Sequence, residues 1–229
     1  MSRTTYVLIP GAGGEAWYWH LVVPRLQKRG HDAVAVSLPA SDDSAGWAAY
    51  ADAIVQSIGG RTGVILVAQS LAGFSAPLVC ERVPVELLVL MNAMIPQPGE
   101  TGAEWWSNTG QQEAQHSYLA ALGLSPQTAD DATVYFHDVP PQVRAEAVRR
   151  GEPAQSWTPM TQTWPLDAWP EIPTRVLVGR DDRLFPADFQ RRIARERLGI
   201  AVDEIDGGHL LALSRPAELV ERIEAYRSD

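Results

Sequence analysis

The chain has 229 residues, of which 45% are hydrophobic and 21% charged, and its formal net charge is −9. That length suits one domain, or one domain carrying an insertion, and the composition excludes a disordered chain. The acidity speaks against nucleic acid and anionic membranes as partners, no apolar run approaches the ~20 residues that span a bilayer, and the lone cysteine, Cys80, excludes an internal disulfide.

The N-terminus leads straight into an apolar strand, Tyr6–Ile9, so no signal peptide is read and a cytoplasmic protein is the default expectation. A glycine-rich turn, Pro10-Gly11-Ala12-Gly13-Gly14, follows. Then come a helical stretch Trp17–Arg29, a strand Ala33–Val36, a helix Trp47–Ile58 and a strand Val64–Val67. A helix Leu71–Arg82, a strand Leu87–Met91, and, after an interruption, a strand Arg175–Val178, a helix Ala187–Leu198, a strand Ala201–Ile205 and a helix Pro216–Tyr226 complete the series. The middle strands are apolar on consecutive residues, as in parallel sheets buried on both faces. Gly30, Gly59-Gly60 and Gly199 stand where a left-handed residue ends a helix. The alternation predicts an α/β fold with a doubly wound, mostly parallel sheet of about six strands. Cys80, inside a helix, reads as a small packing residue.

Residues 95–170 break the rhythm. They are rich in Pro, Gly, Gln and Trp, with helical pieces near Thr109–Leu122, Pro126–Phe136 and Pro141–Arg150. This is too long for a plain loop. It reads as a helical cap inserted between the fourth and fifth strands, with residues 1–94 and 171–229 forming the core.

Ligands of open α/β sheets bind at the carboxyl ends of the strands, so the polar residues there carry the functional argument. After the first strand, Gly11-Ala12-Gly13 starts like a dinucleotide fingerprint, but Ala16 fills the place of the third glycine and no acid ends the second strand. An oxyanion loop is the better reading, with the backbone N–H of Ala12 aimed beside that of Leu71. After the third strand comes Ala68-Gln69-Ser70-Leu71-Ala72-Gly73, a serine between strand and helix as in the Gly-x-Ser-x-Gly nucleophile elbow, but with alanines for both glycines. A serine hydroxyl needs a base, and the base an orienting carboxylate. Asp181 and Asp182 follow the fifth strand, where a turn or N-cap role competes with that of the acid. His209 follows Gly207-Gly208 after the sixth strand, where a helix-capping role competes. His20 and His31 lie by the first helix and His116 in the cap. His137-Asp138, also in the cap, reads as ordinary surface. The order serine, acid, histidine, each after a strand at one sheet edge, is that of the α/β-hydrolases.

Nearly the whole chain resembles that superfamily, in particular the plant methylesterase and hydroxynitrile lyase group and its bacterial relatives. The likeness runs through VLIPGAGGEAWYWHLVVPRLQKRGH, LVAQSLAGF, DRLFPADFQRR and GGHLLALSRP, and more weakly through PPQVRAEAVRRGEPAQS in the cap. The resemblance places a triad on Ser70, Asp182 and His209, choosing Asp182 because the family's acid stands four residues before the proline of this turn, here Pro186. Three features depart from the family: Pro10 stands where it often has His, Gln69 stands for the usual His of the elbow, and Ala68 and Ala72 replace the glycines. The family's lyases place Lys directly after the histidine and Thr in the oxyanion loop, where this chain has Leu210 and Gly11, so the esterase side is favoured.

The expectation is therefore acyl transfer from a small hydrophobic or aromatic ester to water, with no cofactor and no metal. Competing readings are a lyase, cyclase or dehydratase on the same site and a weakly catalytic ligand-binding homologue. Five of the eight tryptophans fall in the cap or at its borders. Trp105, Trp106, Trp157 and Trp164, with Phe136, Gly11 and Leu210, are expected to wall the pocket, although packing of the cap to the core competes for each tryptophan. The partner is the substrate alone, and the sequence also allows a homodimer.

Overall fold

The computed structural model describes residues 4–227. Six strands form one sheet: β1 (Thr5–Ile9), β2 (Asp32–Ala35), β3 (Val64–Gln69), β4 (Leu87–Met91), β5 (Thr174–Gly179) and β6 (Val202–Ile205). Their order is β2-β1-β3-β4-β5-β6 and every pairing is parallel. This is the predicted doubly wound α/β sheet, and it explains the unbroken apolar runs. Residues alternate between two buried faces. Val7, Leu66, Leu88 and Val176 face one core with α2 (Trp47–Ile58), α3 (Ala72–Cys80) and α9 (Ala187–Leu198). Tyr6, Ile65, Val89 and Leu177 face the other with α1 (Val23–Lys28), α10 (Leu211–Ser214) and α11 (Pro216–Ala225).

The predicted helix Trp17–Arg29 is divided. A 3₁₀ turn covers Ala16–Trp19 and α1 begins at Val23, with Pro24 in its first turn. A proline carries no N–H, so it starts a helix well and interrupts one that arrives from upstream. Gly59 and Gly199 end α2 and α9 in the left-handed conformation, as their positions predicted.

Between β4 and β5 lie α4 (Gly102–Thr109), α5 (Gln111–Ala121), α6 (Asp131–Val134), α7 (Pro141–Arg150) and α8 (Thr158–Thr161). The sequence reading missed α4, although Thr101 and Glu104 form a reciprocal capping box at its start. The expected helix Pro126–Phe136 shrinks to α6, whose start is fixed by the Asp130 carboxylate accepting the Thr133 N–H. The base of this insert is anchored deeply. Arg197 of α9 forms a bidentate pair with Glu100, at 2.5 and 2.9 Å, with both side chains at most 5% exposed. No helix among the described residues is long and apolar enough to cross a membrane.

Candidate active site

The parallel register brings the strand ends into one row. Ile9 pairs with Ala68, Gln69 with Met91, and Gly179 with Ile205, so the segments that follow emerge at the same edge. Ser70, between β3 and α3, has φ +52°. A non-glycine residue there is strained and persists only where its surroundings fix it. Here Ser70 N–H donates to the Met91 carbonyl, and the Ser70 carbonyl accepts from Gly73 and Met94. The elbow needs its small residue one position later than the sequence comparison suggested. A Cβ on Gly73 would overlap the Met94 carbonyl oxygen, while Ala72 fits in the core at 2% exposure.

His209 Nε2 lies 3.1 Å from Ser70 Oγ, and its Nδ1 lies 2.8 Å from Asp182 Oδ2. Both His209 and Asp182 are buried. The Asp182 Oδ1 atom accepts the N–H groups of Leu184 and Phe185, at 2.8 and 2.9 Å, which fixes the carboxylate. Asp181 is exposed and bonds the turn around Gly207, whereas Asp182 meets the imidazole. His20 and His31 lie elsewhere, bonded to the Trp17 carbonyl and to Glu224.

Asn92 was overlooked. It follows β4 at the same edge, with φ +44° and no exposure. Its Nδ2 donates to the carbonyls of Gly208 and His209, each at 3.1 Å, and its Oδ1 accepts the Gly179 N–H at 2.8 Å. One side chain thus ties β4, the end of β5 and the histidine turn together. The rule that polar residues after strands matter, applied to the fourth strand as to the others, would have found it.

The glycine-rich turn runs alongside the serine. Gly11 N–H donates to Gln69 Oε1 at 2.9 Å, so the residue that replaces the usual histidine of the elbow pins this turn. A Cβ on Gly11 would come 2.5 Å from Gln69 Oε1 and 2.8 Å from Ser70 Cβ. The threonine of the lyases therefore has no room in this arrangement. Among the described residues the N–H groups of Ala12 and Leu71 have no intramolecular acceptor, so both remain available to an oxygen on the substrate side. On the far side of the turn, Gly13 N–H donates to Gln155 Oε1 of the insert, whose Nε2 reaches Tyr50.

A cavity of about 420 Å³ opens between this turn and the insert. Gly11, Phe136 and Leu210 line it, together with Trp17, Tyr18 and Val148. Its wall includes Ala12, Gln69 and Leu210, the neighbours of Ser70 and His209, without those two residues themselves. The four tryptophans expected there are outside it. Trp105 is fully buried, donates to the Ile95 carbonyl and packs on Phe185 and Phe189. Trp106 packs edge-on to Trp105. Trp164 donates to the Phe74 carbonyl inside the core. Trp157 is 61% exposed. The reason for the difference is that an indole fills core volume well when its N–H finds a carbonyl, and two of these do. Cys80 lies away from the cavity, and burial pushes its thiol up to about 12. Among the described residues no group of three or more His, Cys, Asp or Glu is arranged to hold a metal ion.

His137 and Asp138, read as ordinary surface, instead press on the histidine turn. Asp138 Oδ2 accepts the Gly208 N–H at 2.9 Å. Burial lowers the pKa of His137, and nearby Arg183 adds to the effect against the pull of Asp138 and Asp181.

Comparison with known proteins identifies the family and the fold. The model of the alpha/beta hydrolase family matches residues 6–222. The chain is 24% identical to an alpha-hydroxynitrile lyase of Arabidopsis thaliana, across 98% of this chain and 97% of that protein. It is also 24% identical to methylesterase 3 of the same plant, across 93% and 92%. Among solved structures, polyneuridine aldehyde esterase superposes with a TM-score of 0.77 at 20% identity over the full length of both chains. A pyrethroid hydrolase from Sphingobium faniae gives 0.75 at 22% identity over 99% and 98%.

Proposed function

The chain belongs to the alpha/beta hydrolase family, and from that premise we propose that it is a serine esterase acting on small hydrophobic or aromatic carboxylic esters. The observation that carries the reading is the line from Asp182 Oδ2 through His209 to Ser70 Oγ, at 2.8 and 3.1 Å, ending on a strained elbow. Asp182 accepts from Nδ1, so the other ring nitrogen presents its lone pair to the serine hydroxyl. His209 takes the Ser70 proton as Oγ attacks the ester carbonyl, and the N–H groups of Ala12 and Leu71 receive the oxyanion. The proton then passes to the leaving alcohol, and water repeats the sequence on the acyl-enzyme. Residues 95–170 act as a cap over the substrate. Trp17, Tyr18, Phe136, Val148 and Leu210 give the wall an apolar face that suits the hydrophobic group of an ester, while Glu15, Asp131, Arg144, Arg150 and Glu152 also line the cavity.

The lyase reading has less support, because Gly11 and Leu210 supply neither the hydroxyl nor the cation of that chemistry, and a larger residue at 11 would collide with Ser70. The test is hydrolysis of p-nitrophenyl butyrate together with labelling by a fluorophosphonate probe. Ser70→Ala is expected to abolish labelling and to lower kcat by roughly 10⁴-fold or more, at unchanged melting temperature. Wild-type protein that resists the probe and cleaves no short-chain ester would overturn the reading.

A further inference from the structure

We infer that Asp138, with Tyr135 beside it, is a positioning residue for His209, so that seating of the insert and orientation of the imidazole are a single event. The inference rests on His209 acting as the base. His209 is carried by Gly207-Gly208, and Gly207 has φ +129°. Two glycines give this turn no stiffness of its own, so its shape is imposed from outside. On the sheet side Asn92 holds the carbonyls of Gly208 and His209, and Asp181 N–H holds that of Gly207. Asp181 Oδ2 also accepts the Gly207 N–H at 3.4 Å, and the insert adds a hold of its own on the Gly208 N–H through Asp138.

The same short segment touches the site at further points. The Tyr135 ring stands edge-on to the His209 imidazole, with centroids 5.8 Å apart. Arg183, next to Asp182, donates to the Thr133 carbonyl at 3.0 Å. The segment is also pressed close. A Cβ on Gly208 would come 2.6 Å from His137 Nε2 and 2.9 Å from Asp138 Oδ1, so both atoms crowd the space that the glycine leaves. Both atoms are buried, and among the described residues neither has a hydrogen-bond partner. Unpaired buried polar atoms are costly, and native proteins keep few of them.

The experiment compares Asp138→Ala, Asp138→Ser and Asp138→Asn in the hydrolysis of p-nitrophenyl butyrate. Active sites are counted by exhaustive fluorophosphonate labelling, so that kcat is expressed per competent site. Alanine and serine cannot reach the Gly208 N–H. They are expected to lower kcat per site by roughly 10–100-fold, a fraction of what a general base contributes, with KM within about twofold. Asparagine keeps a carbonyl oxygen for Gly208 and turns an NH₂ toward His137, so it is expected to stay within about threefold of wild type. A merely structural staple would lose labelled sites in proportion to activity and leave kcat per site unchanged, and that result overturns the inference. So does an asparagine variant as impaired as alanine, or failure of both short variants to fold while asparagine folds normally. Ser70→Ala is run alongside. Hydrolysis that survives it condemns the nucleophile assignment, a failure separate from that of Asp138.

Discussion

At the carboxyl edge of the sheet, Gly11, Gly73 and Gly179 each stand where a Cβ would overlap a neighbouring atom, whereas across the cavity α7 buries no residue at all. The edge is rigid because backbone meets backbone: Gly73 lies against the Met94 carbonyl and Gly179 against the carbonyls of Gly207 and Gly208. The outer insert is fastened by side chains that reach solvent. Trp17 Nε1 donates to Glu146 at 3.2 Å, Arg150 lies 5.2 Å over the Trp17 ring, and Arg150 pairs with a half-exposed Glu15 at 3.4 Å. Exposed ion pairs of this kind contribute about 0–1 kcal/mol. The line from Ser70 through His209 to Asp182 therefore sits on the part of the molecule expected to open last, and the outer wall of the cavity is the part expected to open first.

The insert itself is divided on the same principle, and its tryptophans measure the division. Trp105, without exposed surface, sits at the anchored base with Phe185 and Phe189, while Trp157 points outward. Trp105→Ala is expected to cost about 3–5 kcal/mol, a fall in melting temperature on the order of 10 °C for a chain of this size. Trp157→Ala is expected to stay within about 0.5 kcal/mol. Calorimetry on the two variants checks this. Equal effects would mean that the insert is uniformly loose or uniformly anchored.

A smaller effect tests the rigid edge. Gln69→Leu removes the acceptor of the Gly11 N–H and leaves a buried donor unpaired. The turn that presents Ala12 then has lost its tie to the elbow. The expected outcome is a kcat for short-chain ester hydrolysis lower by roughly 10–100-fold, within the range for a misplaced oxyanion donor. A KM change with kcat intact would assign Gln69 to the cavity wall instead, since it also lines the cavity.

The core was legible because each of its elements obeys a local rule. Continuous apolar runs gave the parallel strands, and Gly59 and Gly199 marked helix ends that the backbone confirms with φ +56° and +68°. The meeting of Ser70 and His209 with an aspartate of the fifth-strand turn could be foreseen because a parallel sheet delivers every strand end to one edge, and the family resemblance singled out Asp182 from Asp181. The support of that site was less legible. Nothing local tells that Gln69 reaches back to Gly11, or that Asp138 meets Gly208 across 70 residues of chain. The four tryptophans expected in the pocket wall lie outside the cavity for a related reason. Aromatic content marks apolar contact without saying whether the contact is with substrate or with core, and Trp105 and Trp164 spend their N–H groups on buried carbonyls.

The smallest expected effect lies where the two regions touch, at His137. Burial lowers its pKa below that of the unfolded chain, about 6.5, because the charged ring loses hydration there. Above that pH the ring is neutral in both states and contributes no pH dependence. As the pH falls below it, the unfolded chain takes up the proton first, so folded stability declines until the pH has passed below the folded pKa. His137→Gln removes this proton uptake while keeping a polar side chain of similar reach. Between pH 7.5 and 5.0 the melting temperature of the wild type should therefore fall further than that of the variant. Parallel slopes would show that His137 titrates as it does in water, and hence that the insert stands off the histidine turn in solution. A steeper fall in the wild type would show that the contact beside Gly208 is closed when the protein is folded, which is the condition under which Asp138 can act on His209.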